Sequence, residues 1–148
     1  FIARRIMICA AEDVGNADPN ALVVAVSAAL AAERLGMPEA QIVLSQAAIY
    51  VATAPKSNSA VMAIGNAMKV VESVKTAAIP SYLQDAHYKG AEKLGRGIGY
   101  KYAHDYKNHY VKQQYLPDEI KDYVFYVPSD NGYEKNIKEY LRKIKEEA

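Results

Sequence analysis

The sequence predicts a mostly α-helical fold, and three observations carry that expectation. Apolar residues recur at helical spacing over residues 1 to about 13, 59–77 and 133 to the end, and run almost unbroken through 18–54. Capping and stop residues bracket each of these segments. Only Tyr123-Val124-Phe125-Tyr126-Val127 is β-prone, as a short strand or an extended segment, so little β structure is expected. At 148 residues the chain is predicted to be a single domain, with a helical core over about 1–79 and a loop-rich lobe over about 80–148.

The first helix is read from Phe1, Ile2, Ile6, Cys9 and Ala10. Arg4 and Arg5 fall outside its apolar pattern, on a solvated face or against a phosphate or a partner carboxylate. Gly15-Asn16 ends it. Cys9, in the run Ile6-Met7-Ile8-Cys9-Ala10-Ala11, is expected to be a buried, inert thiol. A lone cysteine allows no internal disulfide and agrees with a reducing cytoplasm.

The stretch from Asp18 to Ala54 is the centre of the prediction. Asp18 is placed to cap free amides and Pro19 suits the first turn, where a missing N–H costs nothing. Gly36 ends this second helix and Pro38 restarts the chain as a third, which stops at Pro55. Both helices are apolar nearly all round. An ordinary surface helix shows a stripe instead. Either neighbours in the same domain wrap them, or another copy of the chain covers part of them. Their many alanines allow close approach but supply little bulk, which favours association. Leu22, Val24, Val26, Val43 and Ile49 are the residues assigned to such an interface.

A fourth helix is expected over about 59–77, with Val61, Met62, Ile64, Met68, Val71 and Val74 on its apolar face and Met62 and Met68 filling gaps in a core. After Pro80 the composition changes. Residues 87–115 hold Lys89, Lys93, Arg96, Lys101, Lys107 and Lys112 against Glu92 and Asp105 alone, so the formal net charge of +1 hides a basic segment. Gly95, Gly97 and Gly99 make a poor helix interior, and 95–117 is expected to be an ordered loop pinned by tyrosines. Ser129-Asp130-Asn131-Gly132 reads as a turn and cap. A last amphipathic helix follows, with Ile137, Tyr140, Leu141 and Ile144 on its apolar face.

Motifs for catalysis are wanting. Gly90 and Gly95 have P-loop spacing but lack the lysine and the hydroxyl that hold phosphate and Mg²⁺. Gly97-Ile98-Gly99 fails as a dinucleotide fingerprint at its third glycine. His104 and His109 lie five apart with no cysteine nearby, which does not suit a zinc pair. No nucleophile elbow or carboxylate pair is legible, so no catalytic, cofactor or metal residue is assigned. What remains is the basic, aromatic loop. Lysines neutralise phosphate and tyrosines stack on bases, so Arg96, Lys101, Lys107, Lys112, Tyr102 and Tyr106 are candidate contacts to single-stranded nucleic acid. The alternative is that the tyrosines simply pin the loop and the lysines keep it soluble. No apolar run reaches the ~20 residues of a membrane span, and the first residues show neither a leading Met nor a signal peptide, as expected for a piece of a longer protein.

Several blocks share a likeness to one family. Phe1-Ile2-Ala3-Arg4-Arg5, residues 11–19 (Ala-Glu-Asp-Val-Gly-Asn-Ala-Asp-Pro), residues 33–39 and Ala54-Pro55-Lys56-Ser57-Asn58 resemble the C-terminal region of the replication-associated recombination protein A family of bacterial AAA+ ATPases, related to Werner-helicase-interacting protein. Residues 99–106, Gln113-Gln114-Tyr115-Leu116-Pro117 and Gly132-Tyr133-Glu134 continue the resemblance over essentially the whole chain. It departs at Lys107-Asn108-His109, where the family is richer in glycine and proline. The resemblance implies a helical collar like that of clamp loaders, which joins subunits into a homo-tetramer. It also implies an N-terminal motor, using ATP and Mg, that acts at stalled replication forks on the bacterial nucleoid in the cytoplasm. DNA and replication proteins such as a single-stranded-DNA-binding protein are further candidate partners. The resemblance carries no catalytic residue onto this sequence.

Overall fold

A computed structural model describes residues 1–75 and 78–147. Five α-helices form, α1 Ile2–Cys9, α2 Asn20–Leu35, α3 Ala40–Thr53, α4 Ser59–Ser73 and α5 Glu134–Glu146, and among the described residues there is no strand. Tyr123–Val127 forms no strand, so the first of its two expected forms is not adopted. The chain divides into two compact units, Phe1–Asn66 with Phe125–Tyr140, and Ala67–Val124 with Leu141–Ala148.

In the first unit α1 runs into a π-helical turn, Ala10–Val14, and a 3₁₀ turn, Gly15–Ala17. Asp18 then does two jobs. Its Oδ1 accepts the amide of Asn20 at 3.0 Å, and its Oδ2 accepts the Tyr50 hydroxyl at 2.9 Å, which ties the start of α2 to the end of α3. Gly36, at φ +69°, closes α2 with its amide on the Ala32 carbonyl. At the far end of α3, Lys56 Nζ reaches the carbonyls of Val51 (2.9 Å), Ala52 (3.1 Å) and Ala54, where a cation offsets the negative helix end.

The core is built from small residues. Ala10, Val14, Ala21, Ala25 and Val51 form it, with Ile6, Met7, Cys9, Tyr50 and Ala54 packed against it. On α2 the buried positions are Ala21, Ala25 and Ala29, one turn apart. Cys9 is half-buried rather than buried, because α1 is short and offers no fully buried residue.

The unit closes on one carboxylate. Glu134, at the start of α5, is fully buried. It accepts hydrogen bonds from Ser57 Oγ (2.6 Å), Ser59 Oγ, Tyr126 OH (3.0 Å) and the Ser129 amide (2.8 Å). Burial pushes its pKa up, but the bonds from Ser129, Ser57 and Ser59 outweigh that and hold it at about 2. Around it the backbones touch. The Tyr133 amide donates to the Ala17 carbonyl at 2.7 Å, and Ser57 N to the Asp13 carbonyl at 2.8 Å. Gly132 sits at φ +54°, and a Cβ there would lie 2.1 Å from the Ala17 carbonyl oxygen, so only glycine fits. Three of the blocks that carry the family resemblance, 11–19, 54–58 and 132–134, meet at this junction.

The second unit has few regular elements. Short 3₁₀ turns at Ser81–Leu83, Glu92–Leu94, Ala103–Asp105, Lys107–His109 and Asp118–Ile120 alternate with extended chain. Val70, Ala91, Val111, Ile120 and Ile144 are its buried apolar residues. Helix α4 ends at Ser73 instead of about 77, with Val74 and Lys75 already non-helical; residues 76–77 lie outside the described residues. Met62 and Met68 are about half exposed, not core fillers, because Val70 is the one buried apolar residue of α4 among the described residues.

Candidate functional site

Two surfaces stand out, one in each unit. The first is the outer side of α2 and α3. Alanines hold the inner side, so the bulk faces out: Val23 is 62% exposed, Leu30 53%, Ile42 71% and Ile49 61%. Of the residues assigned to an interface, Leu22, Val26 and Ile49 are exposed, while Val24 and Val43 are half-buried. Val24 and Val43 line a groove of about 280 Å³ between α2 and α3, floored by Ala28, Ala31 and Ala47. The five residues therefore split between an outward ridge and the groove beside it. The sequence did not single out Val23, Leu30 and Ile42, although the absence of a polar stripe on either helix was the signal that could have found them. A second apolar hollow, of about 340 Å³, is lined by Ile6, Cys9, Ala48 and Val51, with Arg5 and Lys56 at its edge.

The second surface is the loop through residues 96–115. Side chains supply what regular structure would otherwise give its backbone. Gln113 brackets Lys101, its Oε1 accepting the Lys101 amide (3.3 Å) and its Nε2 donating to the Lys101 carbonyl (3.0 Å). The Tyr82 hydroxyl donates to the Gln114 carbonyl. His104 lies between Tyr102 and His109, with ring centroids 5.1 and 4.8 Å away and ring planes tilted by 46° and 49°. Both histidines are exposed, and among the described residues no group of His, Cys, Asp and Glu gathers as a metal site.

Of the six candidate nucleic-acid residues, the fold gathers four. Lys101, Tyr106, Lys107 and Lys112 line a cavity of about 290 Å³, together with Tyr110 and Glu147. Arg96 is elsewhere, its Nη1 donating to Tyr88 OH at 2.6 Å and its guanidinium 5.6 Å from the Tyr88 ring centre. Tyr102 contacts the His104 ring and does not line the cavity. Glu147 is the residue that sequence reasoning missed. It lies 39 positions from Asn108, whose Nδ2 donates to it at 2.8 Å, and no local pattern joins the two. Among the described residues, no helix is long and apolar enough to cross a membrane.

Comparison with known proteins places the chain. A family model described as the MgsA AAA+ ATPase C terminal matches residues 1–145. An AAA domain-containing protein of Mycobacterium tuberculosis is 48% identical over 98% of this chain and 32% of its own length. The replication-associated recombination protein A of Bacillus subtilis is 46% identical over 97% of the chain and 34% of its own length. The ATPase WRNIP1 of Dictyostelium discoideum is 35% identical over 85% of the chain and 14% of its own length. The chain thus spans 14–34% of the length of these relatives.

Proposed function

This chain belongs to the MgsA AAA+ ATPase C-terminal family, and from that premise we propose that it holds copies of a clamp-loader-like ATPase together, as a tetramer. The motor, with its ATP and Mg, would occupy the remaining length seen in the relatives. The name of the Bacillus relative suggests the setting, replication-associated recombination, and stalled forks on the nucleoid are where we place it. One observation carries the reading. The two central helices turn alanine inward and Val23, Leu30, Ile42 and Ile49 outward, so the chain exposes the bulk that an ordinary domain buries. A second copy is the simplest cover, burying on the order of 1,200–2,000 Å² or more per pair.

Light scattering of the chain over a concentration series tests this. A mass of four chains that falls on dilution is expected. Ile42→Asp with Ile49→Asp should give a monomer of unchanged helical content, since both residues are exposed in the single chain. A mass of one chain at all concentrations overturns the proposal.

A second reading has its own observation. Tyr100, Tyr102, Tyr106 and Tyr115 are 42–54% exposed and alternate with exposed lysines over one segment, which suits stacking on bases between phosphate contacts. We propose that this loop touches single-stranded DNA, near where a single-stranded-DNA-binding protein would also work. Anisotropy of a labelled oligonucleotide should show affinity that falls steeply with salt and drops at least tenfold on Lys101→Ala with Lys112→Ala. Affinity unchanged by that pair removes this reading.

A further inference from the structure

The cavity in the basic loop already contains an anion. Glu147 lines it, with Lys107 Nζ at 3.2 Å and Asn108 Nδ2 at 2.8 Å from the same carboxylate oxygen. The Glu147 side chain keeps 31% of its surface exposed and that of Lys107 keeps 74%, so the carboxylate is the less exposed of two partners that both reach solvent. The Asn108 hydrogen bond and the Lys107 ammonium hold its pKa below the usual carboxylate range, so it is charged at neutral pH. Even so, the lining carries three lysines to one carboxylate.

The loop is also bent to make this arrangement. Asn108 and His109 are consecutive non-glycine residues at φ +57° and +53°. Asparagine tolerates left-handed backbone better than most residues, but two such residues in a row are uncommon, and unusual backbone of this kind gathers at binding sites. Here it carries Lys107 and Asn108 round to the carboxylate.

We propose that this cavity is a phosphate subsite for single-stranded nucleic acid, in which the Glu147 carboxylate stands in for a phosphodiester until the strand displaces it. The inference rests on the loop being a nucleic-acid surface and says where on it the backbone sits. A carboxylate and a phosphodiester each bear one negative charge on oxygens that accept from an ammonium and an amide, so the exchange conserves charge in the cavity. Lys101 and Lys112 supply the excess positive charge that favours the incoming strand. Tyr106 and Tyr110 flank the same cavity, with rings available to the neighbouring bases. The carboxylate competes weakly, because solvent-exposed ion pairs gain little.

The test is anisotropy of a labelled oligothymidylate at several salt concentrations with three proteins: the chain, Glu147→Gln, and Lys101→Ala with Lys112→Ala. Glu147→Gln keeps the shape and removes the competing charge. It should bind roughly three- to tenfold tighter at low salt, and the slope of log affinity against log salt should steepen by about 0.7, the value of one further phosphate contact on a single strand. Inorganic phosphate as competitor distinguishes the two sources of the anion: displacement of the strand only at high millimolar phosphate supports a polymer ligand. If Glu147→Gln binds no tighter while the lysine pair loses binding, the stand-in role is overturned and the nucleic-acid surface survives. If inorganic phosphate binds and no oligonucleotide does, the polymer assignment is overturned. If neither binds to any of the three proteins, the subsite and the surface fall together.

Discussion

The α1–α3 helices and the 96–115 loop solve the same backbone problem in opposite ways. In the helices the main chain satisfies itself, so side chains are free, and what is left over is apolar bulk. In the loop, side chains satisfy the main chain: Gln113 brackets Lys101, Gln114 Nε2 donates to the Leu116 carbonyl at 2.9 Å, and Tyr82 reaches Gln114. What is left over there is positive charge. The surplus on each surface is the guide to its use, since unspent apolar area asks for a partner surface and unspent charge asks for an anion.

The largest effect expected lies at the carboxylate that closes the first unit. Glu134→Ala leaves three hydroxyls and one amide without their acceptor and should destabilise the chain by roughly 2–4 kcal/mol in urea unfolding. The pH dependence follows from the same site. The folded pKa of about 2 lies below the ordinary 4.5, so ionised Glu134 adds stability above pH 4.5, and that is lost as pH falls from 4.5 toward 2. About 3 kcal/mol is at stake. Glu134→Gln should flatten this acid limb, and a limb as steep as that of the unaltered chain would mean that other carboxylates govern it.

Next comes a pair of substitutions on α2 that contrasts its two sides. Ala25 is 1% exposed and Leu30 is 53% exposed. Ala25→Leu should cost about 1–3 kcal/mol by forcing the helices apart. Leu30→Ala should change monomer stability by no more than about 0.5 kcal/mol, yet shift self-association toward monomer in sedimentation. If instead Leu30→Ala destabilises the dilute chain as much as Ala25→Leu does, α2 is an ordinary core helix and the comparison of the two surfaces breaks.

That inversion marks the limit of what the sequence shows. Helix ends were legible because Asp18-Pro19, Gly36 and Pro55 act locally. Which side of α2 faces in was not. With apolar residues all round, the choice is made by size, and alanine wins because it lets α2 and α3 approach closely. The basic loop was legible as composition, and Lys101, Lys107 and Lys112 do converge on one cavity. Glu134 had a faint local signal, an acidic residue three positions after Asn131 in the spacing of a helix capping box. Its partners Ser57 and Ser59 lie 77 and 75 positions away, a separation that no local pattern spans.

The smallest effect expected probes the strained corner of the loop, and its sign matters more than its size. His109→Gly and His109→Ala remove the same ring contact with His104, so their difference reports the backbone alone. Where φ is negative, alanine is the better residue by roughly 0.5–1 kcal/mol, because glycine loses more freedom on folding. At φ +53° the order reverses, since alanine bears the left-handed penalty and glycine does not. The glycine variant should therefore be the more stable by about 0.5–1 kcal/mol. It should also bind oligonucleotide at least as well as the alanine variant, because neither change touches the lysines. An alanine variant more stable than the glycine one would mean that the corner is relaxed, and the backbone would then have no strain to spend on holding Lys107 and Asn108 against Glu147.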